Sequence, residues 1–175
     1  MKIPVESSTS YRGRNSRPNW LVLLALIGVA FGIGAIGALV SPGVSTSATV
    51  WYAALLKPTW APPNSWFGPV WTTLYVLMGT SAWLVWGERY HQSRNIALTA
   101  YTTQLVLNAL WSPSFFGLKS TGTGLFFIIA LWLSIAWMIR EFARVKPAAA
   151  WISIPYLAWV TFAAALNLSI WRLNP

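Results

Sequence analysis

Between Trp51 and Trp71 the chain reads WYAALLKPTWAPPNSWFGPVW, four tryptophans and four prolines in twenty-one residues. Indole rings offer large, rigid contact area at little entropic cost, so the chemistry they suit is stacking on a flat apolar ligand. Proline fixes φ and removes a backbone donor, so Lys57-Pro58 and Pro62-Pro63 cannot lie inside a regular helix or a central strand. The segment is expected to be a stiff loop, either a lid over such a ligand or a belt of tryptophans at a bilayer surface. Acid–base and metal chemistry lack their usual groups. There is no cysteine, the only histidine is His91, and the acidic residues are Glu6, Glu88 and Glu141. No Ser-His-Asp set, proton relay or metal site is expected from these.

The elements that must position the tryptophans follow from composition. Hydrophobic residues make up 56% of the 175 and charged ones 9%, against about 25% charged in a soluble protein. The chain is therefore read as an all-α integral membrane protein. Five apolar runs reach the ~20 residues that cross a bilayer, at about 20–40, 66–87, 96–116, 122–139 and 149–171. The Ser- and Arg-rich tail 1–19 has no periodicity and is expected to be disordered. The first run is too long for a signal-peptide core and is expected to be retained. Residues 20–172 form one domain on this reading.

The net charge of +9 sits at the ends of the apolar runs and lines no single face, so no nucleic-acid partner is expected. With the N-terminus inside, Lys2, Arg12, Arg14, Arg17, Arg89, Arg94, Arg140, Arg144 and Lys146 fall on the inner side. Only Lys57, Lys119 and Arg172 fall outside. The bias gives an N-in, C-out topology, with a bacterial-type cell membrane favoured. The 41–65 loop then lies outside, with the unusual residues of three spans in the half of the bilayer beneath it.

Residues at i, i+3 and i+4 share a helix face. The second span carries Phe67, Trp71, Tyr75 and Met78 on one stripe; the third carries Tyr101, Gln104, Asn108, Trp111 or Ser112, and Phe115. The fifth carries Pro155, Trp159, Phe162 or Ala163, and Leu166 or Asn167. Gln104 and Asn108 would be costly facing lipid and are expected to point inward, joining helices or binding a ligand's polar edge. In the first span Gly28 and Gly32, with Gly34 and Ala38 at related spacing, form a small-residue face suited to helix packing or a dimer.

These residues fall into four ordered patterns: WYxxLxKPxWxPP at 51–63, FGPVWTxLY at 67–75, NxxWSxxFF at 108–116 and PYxxWxxFAxxLN at 155–167. With them the chain resembles the TspO/MBR family, the tryptophan-rich sensory and translocator proteins. The resemblance implies a five-transmembrane-helix bundle, often a homodimer, binding porphyrins, haem-like tetrapyrroles and in some members sterols. It implies a pocket closed by the loop between the first two spans, with Trp51, Pro58, Trp60 and Pro62 from that loop. Phe67, Trp71 and Tyr75 would come from the second span, and Asn108, Trp111 and Ser112 from the third. Tyr156, Trp159, Phe162, Ala163 and Leu166 would come from the fifth.

Two functional classes follow from the resemblance, with no obligatory cofactor in either. One is a receptor or translocator of tetrapyrroles. The other is a light-dependent porphyrin-degrading enzyme using Trp71 and Trp159. A third reading, a structural or regulatory membrane partner, rests on the small-residue face of the first span. Leu168 stands near where sterol-binding members carry a tyrosine, which disfavours cholesterol by that route.

Overall fold

The computed structural model describes residues 19–175; the expected tail falls almost entirely outside them. Helix α1 (Trp20–Leu39) starts where the Asn19 side chain accepts from the Leu21 amide at 3.1 Å. A short α2 (Thr46–Ala54) follows, then a single 3₁₀ turn at Asn64–Trp66. Four long helices complete the chain: α3 (Phe67–Gly87), α4 (Arg94–Ser112), α5 (Thr121–Val145) and α6 (Pro147–Leu173). All described secondary structure is helical. The long helices neighbour one another in the cyclic order α1, α3, α6, α5, α4 and back to α1.

Among the described residues, α1, α5 and α6 are long and apolar enough to cross a membrane. Helices α3 and α4 are 21 and 19 residues long. Their Trp, Tyr, Thr, Gln and Asn residues lower the mean hydropathy below that of the other three.

Four expectations need correcting. The 41–65 segment is not all loop. Ser45 caps α2 by accepting from the Ala48 amide at 3.3 Å, so Trp51 and Tyr52 stand on a helix, and only the proline-bearing part stays irregular. Second, the third span ends as an α-helix at Ser112. Pro113 has no N–H and its ring crowds the preceding turn, so the ladder slips to a π turn over Pro113–Gly117. The amides of Leu118 and Ser120 then donate to the carbonyls of Pro113 and Phe115, at 2.9 and 3.2 Å.

Third, the fourth span does not stop at 139. Helix α5 runs on to Val145, carrying Arg140, Glu141 and Arg144 within it. Glu141, expected in an inner loop, is 2% exposed. Burial of a carboxylate requires a partner, and both its oxygens accept from Arg144 Nη1 at 2.9 Å. Lys146, alone between α5 and α6, donates to Glu88 at 2.7 Å and ties that corner to the end of α3.

Fourth, the small residues of α1 do not share one role. A Cβ on Gly28 or Gly32 would meet nothing within 4 Å, whereas one on Gly34 would run into the Tyr75 ring. Gly34 therefore brings α1 against α3, and Gly37 brings it against Ser112 of α4, where a Cβ would lie 3.0 Å from the hydroxyl.

Candidate functional site

A cavity of about 440 Å³ opens between α1, α3, α4 and α6, beside α2 and the π turn. Its aromatic walls come from three stretches besides Phe31 of α1, which packs on Tyr75 at 5.6 Å. On α3, Trp71 stacks on Tyr75 with ring centres 5.5 Å apart, and Phe67 stands one turn before. On α4 and the π turn, Trp111 stacks on Phe115 at 5.7 Å, and Phe116 meets both edge-on. From α2, Tyr52 packs against Phe116 at 5.6 Å. Burial pushes the Tyr52 phenol above its usual pKa, and the Lys57 ammonium sits 4.6 Å from its ring centre. The residue lining this face is therefore a neutral ring held by a cation–π contact.

Beneath the aromatic walls lies a polar cluster. The fully buried Tyr156 hydroxyl donates to Gln104 Oε1 at 2.9 Å and accepts from Asn108 Nδ2 at 3.0 Å. The pair expected to point inward thus joins α4 to α6, and Asn108 also lines the cavity. Its nitrogen is committed to Tyr156, which leaves its amide oxygen to offer inward.

Of the fifteen pocket residues expected, eight line this cavity: Phe67, Trp71, Tyr75, Asn108, Trp111, Ser112, Ala163 and Leu166. Trp51 stands behind it, edge-on to Phe115 at 5.4 Å. Tyr156 lies below, its ring edge-on to Trp71 at 6.3 Å. Trp159 and Phe162 form an aromatic string with Trp60 and Phe67, at 5.3–5.7 Å per step. Only its Phe67 end reaches the cavity. Pro58 and Pro62 are half-buried and do not line it.

The α6 stripe is displaced by one residue in its first half only, since its Ala163, Leu166 and Asn167 are buried. Pro155 is exposed, and the buried face runs through Ser153, Tyr156, Val160, Ala163, Asn167 and Ile170. Trp159 does not line the cavity, whereas Ala163, Leu166 and Asn167 of the same expected stripe do.

Sequence reasoning missed the α1 wall. Gly34, Gly37, Ala38 and Ser41 all line the cavity, and their spacing signals only close packing. Tyr52 and Phe116 join them, as do Phe115 and Asn167 of the helix-face stripes.

The irregular stretch after α2 is tied down at one point. Leu56 N donates to Asn174 Oδ1, and Asn174 Nδ2 donates back to Leu56 O, each at 3.0 Å. An Asn174→Ala variant is expected to raise hydrogen exchange at the Leu56 amide about tenfold, in line with losing ~1–2 kcal/mol of hydrogen bonding. Unchanged exchange would show that the contact does not hold this stretch.

An aromatic cavity with a polar floor, set among membrane-length helices, defines an all-helical membrane protein with an internal cavity. The TspO/MBR family pattern matches residues 22–172, and the chain belongs to that family. It is 40% identical to the tryptophan-rich protein TspO of Chlorobaculum tepidum over 156 residues, 89% of this chain and 97% of that one. It is 41% identical to protein CrtK of Rhodobacter capsulatus over 143 residues, covering 81% and 86%. With the translocator protein of Homo sapiens it shares 41% over 126 residues, covering 71% and 75%.

Proposed function

We propose that this chain is a membrane receptor or translocator that takes a porphyrin-type tetrapyrrole into the 440 Å³ cavity. The observation that carries the reading is the pair of stacked aromatics, Trp71–Tyr75 and Trp111–Phe115, presented to one space from different helices. Ligand cavities typically measure about 300–1,000 Å³ and are mostly apolar with a few polar anchors. Among the described residues no Asp, Glu, Lys, Arg or His lines this one, so the π faces of a ring system meet indoles, and its charged substituents must point out through the mouth.

All five long helices cross the membrane on this reading, N-terminus inside, in a bacterial-type cell membrane. Helix α2 and the tethered stretch behind it act as the lid, and their displacement admits ligand. No group here supplies energy, so movement of ligand is passive or serves sensing. The open Gly28/Gly32 face is where a second copy would pack to give a homodimer. Sterol-like lipids are a secondary ligand class.

The test is a protoporphyrin IX titration in the dark, following porphyrin absorbance and tryptophan fluorescence. Saturable binding is expected, and Trp71→Phe/Trp111→Phe should weaken it about tenfold, given ~1–3 kcal/mol per stacked ring. Trp159→Phe should weaken it less than the double variant does. Absent saturation, or equal binding by the double variant, would sink the assignment.

A further inference from the structure

Some polar groups around the cavity are already used. The Ser41 hydroxyl donates to the Gly37 carbonyl at 2.8 Å, and Asn108 donates to Tyr156. Two buried atoms of cavity-lining residues stand apart. Asn167 Oδ1 and Trp111 Nε1 have no hydrogen-bond partner among the described residues. Asn167 is 2% exposed, and leaving a buried acceptor unpaired costs about 1–3 kcal/mol.

The orientation of the Asn167 amide is not arbitrary. Its nitrogen donates to the Thr121 carbonyl at 3.0 Å, and a backbone carbonyl can only accept. The nitrogen must face Thr121, so the unpaired atom of this cavity-lining residue is the oxygen. Trp111 contributes the complementary capacity, since an indole nitrogen only donates. Both residues line the one cavity, and Trp111 packs on a cluster that includes Leu166 and Ile170, neighbours of Asn167 on α6.

This combination selects a chemical group. A carboxylate could accept from Trp111 but has no hydrogen for Asn167, and an ammonium fails the other way. Either charge would also enter a cavity that, among the described residues, is lined by no Asp, Glu, Lys, Arg or His. A neutral hydroxyl both donates and accepts. We propose that Asn167 and Trp111 form a polar subsite for a hydroxyl group on an otherwise flat, apolar ligand, making Asn167 a specificity-determining residue of the cavity. This rests on the reading of the cavity as a porphyrin-type site and specifies which substituents it favours.

The experiment uses the full-length protein in detergent and two probes, haematoporphyrin, which carries hydroxyethyl groups, and its methyl ether. Binding is followed in the dark by porphyrin absorbance. The wild type is expected to prefer the hydroxyl form about tenfold, the scale of one well-made buried hydrogen bond. Asn167→Leu should abolish most of that preference, chiefly by weakening the hydroxyl form. Since Asn167→Leu also removes the bond to Thr121, Trp111→Phe provides a second variant that keeps it, and its preference should fall too.

A purely structural role would weaken both probes in parallel and leave the ratio unchanged, which would overturn the proposal. Equal affinities in the wild type would overturn it while leaving the porphyrin reading intact. No saturable binding of either probe would defeat the porphyrin reading, and this inference with it.

Discussion

Alanine at Gly79 is expected to destabilise the protein by about 3 kcal/mol, the upper part of the range for overpacking a core. Gly79 is buried where α3 crosses α1, and a Cβ there would lie 2.7 Å from both the nitrogen and the Cα of Ile27. Those are backbone atoms and cannot swing aside, so the helices must part. The separation would propagate, because α1 also forms one wall of the cavity through Gly34 and Gly37. Thermal unfolding in detergent should drop by roughly 10 °C for a chain of this size. Gly87→Ala, at the end of the same helix, is the control, with nothing within 4 Å of its new methyl. Equal melting of the two variants would mean that α1 does not pack on α3 as described.

The second large effect is expected at Tyr156. Its hydroxyl serves two partners, Gln104 and Asn108, and Tyr156→Phe strands a buried acceptor and a buried donor together. Bonds of this kind between membrane helices contribute about 0.6–2 kcal/mol each, so a loss of ~2–3 kcal/mol is expected. The sign of a second change distinguishes stranded polar groups from lost packing. Adding Gln104→Met to Tyr156→Phe should recover part of the stability, because an apolar side chain leaves nothing to satisfy. If the double variant is less stable still, the loss came from packing, and the hydrogen bonds are incidental. Ligand affinity should shift alongside, since Asn108 belongs to both the cluster and the cavity wall.

Much of this was legible in the residues. The apolar runs located the five long helices to within a few residues, except at the end of α5. There a positional habit misled, since basic residues usually mark a span's end, and here Arg140 and Arg144 continue the helix. The inward face of α4 was legible because Gln104 and Asn108 are too costly to expose to lipid. On α6 the stripe left Phe162 or Ala163 and Leu166 or Asn167 open, and Ala163, Leu166 and Asn167 line the cavity while Trp159 and Phe162 do not. The α1 wall was not legible at all. Glycine at 34 says only that something comes close, and which ring does so is decided by tertiary packing. Helix α2 was hidden by its neighbours, since the prolines after Leu56 coloured the reading of the whole segment, although Ser45 offered a cap.

The π turn at Pro113–Gly117 sets a rule about length as well as shape. Each of its hydrogen bonds spans one residue more than an α-helical bond, so the turn amounts to a single inserted residue. Removing one residue there would let the helix close into a regular ladder and rotate everything beyond by about 100°. Phe115 and Phe116 would swing away from Trp51 and Tyr52, the contacts that join α2 to the cavity wall. This stretch should therefore accept exchanges of side chain far more readily than any insertion or deletion, because its register, more than its chemistry, aims the wall.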